Sequence, residues 1–329
     1  MAEASKAVRD GASVPASGSP DSAAQPHESR PDHRRRVVAG TLMVIAGACL
    51  WGISGTVSKL LMDRTGVSPL WMTNVKMLAG SAVFFSFAAA RTPDLLRDAG
   101  RSLRHPRELL GVVGMSVMAY LVLNASYFAN VDVTNPATAT VLQSLGVPMT
   151  LAAVCLRKRR VPYGREVLCF AMAVLGTFLL ATGGDPTTLA MPALGLALGL
   201  LTAAGQASES LLTVGYVERW GSLVTNALGF LAAGLLLLPA VRPWAYDAAA
   251  AFAPLDWFLL AFSVLVGTFG AGALYMAGLV RVGPVRTTLL STTEQLSSAV
   301  SSWALVGTTF SPAEFAGFAI ITAMVALSA

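Results

Sequence analysis

The sequence predicts an all-α integral membrane protein, with ten transmembrane helices arranged as two inverted five-helix repeats. Three observations carry this. First, 54% of the 329 residues are hydrophobic and only 12% charged, with a mean hydropathy of +0.63; soluble domains run near about 25% charged. Second, apolar stretches close to the roughly 20 residues that cross a bilayer follow one another along the chain. Third, basic residues gather on alternate sides of those stretches. Of 23 Lys and Arg, all but Lys59, Arg64, Lys76 and Arg242 fall in the amino-terminal tail or in segments predicted to be cytoplasmic.

Residues 1–36 are rich in Ala, Ser, Pro and charge and lack apolar periodicity. Such a segment buries too little surface to offset its ordering entropy, which predicts a disordered cytoplasmic tail. It ends in "HRRR" and a full-length span follows, unlike a signal peptide with its short apolar core and cleavage site. The predicted spans are 37–62, 69–90, 109–130, 135–156 and 164–183, then 190–214, 221–241, 255–280, 284–306 and 312–328. The first five form one repeat, 37–183, and the last five a second, 190–328. Glycines such as those of "GLALG" at 195–199 let helices approach closely. "GTFGAG" at 267–272 resembles a phosphate-binding loop, but no strand precedes it, so it reads as helix packing.

The net charge of +5 and pI of 9.4 do not point to nucleic acid, because the basic residues lie in short segments between apolar runs. Cys49, Cys155 and Cys169 sit inside apolar runs, with neither a disulfide framework nor a metal spacing. His27, His33 and His105 lie outside those runs. No cofactor is predicted. The partners are the lipid bilayer and a small molecule, and oligomeric state is not legible.

The chain repeats itself. "TN" at 73–74, followed by Ala79-Gly80, is echoed by "TN" at 225–226 with Ala233-Gly234. Tyr127 and Pro136 are echoed by Tyr275 and Pro284, and Pro162 by Pro312. An odd number of spans per repeat brings the second copy in from the opposite side. Inverted repeats with a site near the midplane are typical of secondary transporters.

These motifs carry a resemblance. "LWGISGTVSKLL" at 50–61 and "SPLWMTNVKMLAG" at 68–80 resemble the first and second helices of the drug/metabolite transporter superfamily, in its ten-helix EamA-type branch. "VTNPATATVLQSLGVP" at 133–148 and "VGPVRTTLLSTTEQLSSA" at 282–299 resemble its fourth and ninth. The likeness runs from about residue 40 to 328. Lys76 stands where an arginine is common, and the usual Glu-Pro of the ninth helix is Glu294-Gln295. The Gly-Glu often found before the fifth and tenth helices is replaced by "RKRR" and "GTT". The resemblance implies proton- or exchange-coupled movement of small metabolites such as amino acids, by alternating access, in the cytoplasmic (inner) membrane with both termini cytoplasmic.

"GISG" at 52–55 raises a competing reading, an intramembrane enzyme with Ser54 as nucleophile. Such a serine needs a base within hydrogen-bond reach. No span contains histidine, and Lys59 lies about 140° around the helix from Ser54. Close helix packing therefore explains Gly52, Ser54 and Gly55 better, and no enzyme is predicted. Lys59, near a helix end, is expected to snorkel to the interface. Lys76 is deeper, where a lysine costs about 2.5–3.5 kcal/mol, so it should meet a cavity or a carboxylate.

Glu294 lies near the middle of its span and is the strongest candidate for substrate binding or coupling, since intramembrane acids mark ion and substrate pathways. Its bland alternative is a protonated acid hydrogen-bonded to a neighbouring helix. Glu209 fits either a site or the inner interface. Trp51, Tyr120, Asn124, Gln143, Gln206 and Tyr275 are further cavity candidates. Lys76 and Glu294 together suit a zwitterion such as an amino acid, moved by a proton-coupled exporter or exchanger. Glu294 with an aromatic cage would instead suit an organic cation or quaternary ammonium compound.

Overall fold

The computed structural model describes residues 30–185, 187, 189–243 and 252–328. The predicted tail therefore lies outside the described residues up to position 29. Its boundary moves: α1, Arg30–Thr65, already includes the basic run. Nothing in that run breaks a helix after Pro31, and proline is tolerated in a first turn.

The chain continues through α2 (Pro69–Arg91), the short α3 (Pro93–Ser102), α4 (Pro106–Val133), α5 (Pro136–Arg157) and α6 (Gly164–Thr182). Then come α7 (Ala193–Leu212), α8 (Val214–Val241), α9 (Pro254–Val282), α10 (Pro284–Ser291), α11 (Thr293–Ser301) and α12 (Pro312–Ser328). Proline opens α2, α3, α4, α5, α9 and α10, where its missing N–H is no loss. Gly66 between α1 and α2, at φ 69°, and Gly221 inside α8, at φ 74°, take left-handed conformations that redirect the chain.

Among the described residues, 6 helices are long and apolar enough to cross a membrane: Arg34–Thr65 within α1, together with α4, α5, α6, α8 and α9. α2 and α7 occupy predicted spans but carry Asn74 and Lys76, and Gln206 and Glu209. α12 is a shorter apolar helix. The span expected at 284–306 is not one continuous helix. It tightens at Thr292, where Thr292 N–H reaches back three residues to Leu289 O (3.4 Å), and ends in a π-helical turn at Ser302–Val306.

α5 tightens in the same way at Ser144 and Leu145, whose N–H groups bond Val141 O and Leu142 O at 3.1 Å. The preceding helices also match, with π-helical turns at Ser116–Leu121 in α4 and Phe262–Gly270 in α9. Mid-helix 3₁₀ and π turns often lie at functional positions.

Packing pairs the two halves of the chain reciprocally. α1 lies on α9 and α11, while α7 lies on α4 and α5. α2 packs on α8, α5 on α11 and α6 on α12. Small residues make these approaches close. A Cβ at Gly52 would meet the backbone of Glu294 and Ser298 in α11, and one at Gly205 the backbone of Leu123 in α4. Buried apolar side chains form three clusters, one around Leu142, Leu180 and Met324, one around Leu61, Met72 and Leu260, and one around Met115, Trp220 and Val224.

Candidate functional site

A cavity of about 820 Å³ lies between the helices. All nine residues singled out from sequence line it: Trp51, Lys76, Tyr120, Asn124, Gln143, Gln206, Glu209, Tyr275 and Glu294. They come from α1, α2, α4, α5, α7, α9 and α11, so the cavity is built jointly by both halves of the chain.

The cavity is one-sided. Its lining starts at mid-molecule with Ser54, Thr140 and Gly267 and runs to Thr213, Val217, Ser222 and Ser328. That is the end where Arg219 meets Ser102 and Glu108. At the opposite end the cluster of Leu61, Met62, Val67, Trp71, Met72, Val131 and Leu259 fills the space between α1, α2, α4 and α9.

Lys76 is placed by α2 at the inner limit of the cavity. Its ammonium donates to Ser54 Oγ at 3.4 Å and sits 4.9 Å from the centroid of the Phe128 ring. Glu294 belongs to the first turn of α11, directly after the tightening at Thr292. Among the described residues the ion pairs form elsewhere, at Lys59, Arg64, Arg97, Arg101, Arg160 and Arg219. Among the described residues, neither Lys76 nor Glu294 has a counter-charge in contact. An acidic and a basic side chain thus line one cavity with no ionic partner from the described residues.

Glu209 resolves toward the cavity rather than the interface. It accepts from Gln206 Nε2 at 2.9 Å, and Gln206 Oε1 accepts from Gln143 Nε2 at 2.7 Å. This polar chain ties α5 to α7. Tyr120 donates to Asn226 Oδ1 at 2.8 Å, and Asn124 Nδ2 donates to Tyr120 O at 2.8 Å. Trp51 and Tyr275 pack with ring centroids 5.0 Å apart.

Sequence reasoning missed several lining residues. Asn226 was legible only as half of a repeated "TN"; its counterpart Asn74 is fully buried and donates to Gly234 O at 2.8 Å instead. Tyr127 (bonded to Thr140 Oγ1, 3.1 Å) and Gln295 (donating to Ser144 Oγ, 2.7 Å) also line the cavity. Their only signal in the sequence was a polar group within an apolar run.

Two expectations change. Lys59 does not simply snorkel: it pairs with Asp63 (2.7 Å) and Asp132 (3.5 Å). The base considered for Ser54 was the wrong lysine, because Lys76, 22 residues away in sequence, is the one within reach. Helix α2 folds back beside α1, which spacing along α1 alone does not reveal. Cys155 and Cys169 are buried and Cys49 is partly exposed, and none of the three is in a disulfide. Among the described residues no cluster of His, Cys, Asp and Glu could hold a metal ion.

A helical membrane protein whose central cavity carries ionisable and amide side chains, runs to one end and is closed by apolar packing at the other has the architecture of a small-molecule transporter. The chain belongs to the EamA-like transporter family, whose model matches residues 38–182 and again 193–329. It is similar to the uncharacterized inner membrane transporter YicL of Salmonella typhimurium, 27% identical over 289 residues, 88% of this chain and 94% of that protein. It is also similar to the uncharacterized transporter YwfM of Bacillus subtilis, 24% identical over 285 residues, 85% of this chain and 90% of that one. A crystal structure of a protein 19% identical, covering 88% of this chain and 96% of its own, aligns with a TM-score of 0.55 and supports the fold.

Proposed function

We propose that this chain is a secondary transporter of a small polar metabolite bearing both a carboxylate and an amine, an amino acid or related zwitterion. It works by alternating access between two inverted five-helix repeats, 37–183 and 190–328, in ten spans, as a proton-coupled exporter or exchanger with both termini cytoplasmic. One observation carries the substrate class. Lys76 and Glu294 line the same cavity, each without a protein counter-charge among the described residues. A substrate with both charges would neutralise both.

The reciprocal packing of the halves, and the matched tightenings near Ser144 and Thr292, support the inverted repeat. On that reading the end lined by Thr213 and Ser222 is cytoplasmic, and the chain is in an inward-open state. Proteoliposome uptake of an amino-acid panel, with and without an imposed pH gradient, tests the proposal. Saturable movement of a zwitterion that responds to the gradient is expected. Movement of quaternary ammonium compounds alone would transfer the site to organic cations.

The Ser54–Lys76 contact at 3.4 Å favours one other reading, a serine nucleophile with a lysine base. Acyl transfer also needs free N–H donors for the oxyanion. Ser54 stands in the middle of α1, where backbone N–H groups are spent on the helix. Ser54→Ala should leave transport within about threefold of the parent and remove no hydrolysis of lipid or peptide, because a packing hydroxyl contributes little more than about 1 kcal/mol. Loss of a hydrolytic activity, with transport absent from the parent protein, would establish the enzyme.

A further inference from the structure

Two ion pairs outside the cavity share a local design. Arg64, two residues before the left-handed Gly66, pairs through Nε with Asp256 Oδ1 at 2.8 Å. Arg219, two residues before the left-handed Gly221, pairs through Nη1 with Glu108 Oε2 at 3.1 Å. Both carboxylates are the third residue of a proline-opened helix, Asp256 in α9 and Glu108 in α4. Each pair therefore ties the junction after the first helix of one half to the start of the third helix of the other half.

The pairs differ in their surroundings. Arg219 and Glu108, at the end to which the cavity runs, have side chains 49% and 36% exposed. At the sealed end Asp256 is only 8% exposed, with Arg64 at 40%. Its other oxygen, Oδ2, accepts the Ala253 N–H at 3.0 Å, which holds the start of α9. The apolar cluster of Leu61, Met62, Val67, Leu259 and Leu260 brackets this pair on both helices. Removing Arg64 strands the nearly buried Asp256 carboxylate, which is costly, whereas removing both leaves no stranded charge.

We propose that Arg64–Asp256 and Arg219–Glu108 are paired clasps, and that the Arg64–Asp256 clasp, the less exposed of the two, keeps the end around residues 61–72 and 252–262 shut while the cavity is open at the other. The naming of the faces rests on the alternating-access reading above. The clasp itself does not depend on the substrate.

Cysteine labelling tests it. Cys49, Cys155 and Cys169 are replaced by alanine, and Thr268→Cys, at a partly exposed position lining the cavity beside Gly267, is introduced as a reporter at its sealed limit. A membrane-impermeant maleimide is then applied to right-side-out and to inverted vesicles. The clasped parent should label mainly from the cytoplasmic face. Arg64→Gln and Asp256→Asn, the latter keeping the oxygen that caps α9, should each raise external labelling several-fold. Arg64→Lys should stay near the parent. The double variant should label no faster than the faster single. Arg219→Gln or Glu108→Gln should not raise external labelling.

External labelling unchanged in both singles overturns the clasp, as does additivity in the double variant, or an equal rise with the Arg219 and Glu108 variants. A parent labelled mainly from outside instead refutes the sidedness of the proposed function. The same variants then report on the clasp from the face that carries residues 61–72.

Discussion

Glu294 occupies a particular electrostatic position: the first turn of α11, at the edge of a shared cavity, with no cation from the described residues in contact. In the proposed mechanism a proton and the substrate amine compete for this carboxylate, which is the simplest physical basis for coupling. Glu294→Gln keeps volume and hydrogen-bonding capacity while removing the charge. Coupled transport should fall by at least about tenfold, equivalent to roughly 1.4 kcal/mol, and its pH dependence should flatten. Measuring exchange over roughly pH 5.5 to 8.5 in proteoliposomes checks this. An unchanged profile with full coupled transport would make Glu294 a structural hydrogen bonder.

At the scale of the element, the small residues of α1 are what allow the cavity to form between two halves. Gly52 touches the backbone of α11 beside Glu294, so Gly52→Ala must push that helix away. Overpacking of this kind costs about 1–3 kcal/mol. The variant should express with a lowered melting temperature in detergent and impaired transport; an unaltered melting temperature would show that the contact is slack.

The elements were the most legible part of the chain. Apolar runs and basic flanks marked the helices because lipid imposes both on any sequence. The tightening at Ser144 and Thr292 and the π turns in α4 and α9 were not legible, since they shift hydrogen bonds by one residue without changing composition. The site was legible in part. Charge and polarity in apolar surroundings picked out Lys76, Glu209 and Glu294. Their sharing of one cavity depends on contacts between helices far apart in sequence, and Asn226 and Asn74 show that the same dipeptide can line a cavity or be buried. The Ser54–Lys76 contact escaped for the same reason.

For the whole molecule, the proposed orientation puts the basic segments on the cytoplasmic side, the end to which the cavity runs. Reporter fusions after residues 160 and 283 should be cytoplasmic, and those after 186 and 248, positions outside the described residues, external. One clear reversal would remove a span and with it the inverted repeat. The central claim is that Lys76 and Glu294 read the two charges of one substrate. It is tested most directly by competition in proteoliposomes: exchange of a radiolabelled amino acid, challenged with its decarboxylated amine and its deaminated acid, in the parent, Lys76→Gln and Glu294→Gln proteins. In the parent, both analogues should compete at least about tenfold more weakly than the zwitterion. Lys76→Gln should narrow the gap for the amine alone, and Glu294→Gln for the acid alone. If both substitutions weaken all three ligands equally, the two charges shape the cavity without reading the substrate, and the account is wrong.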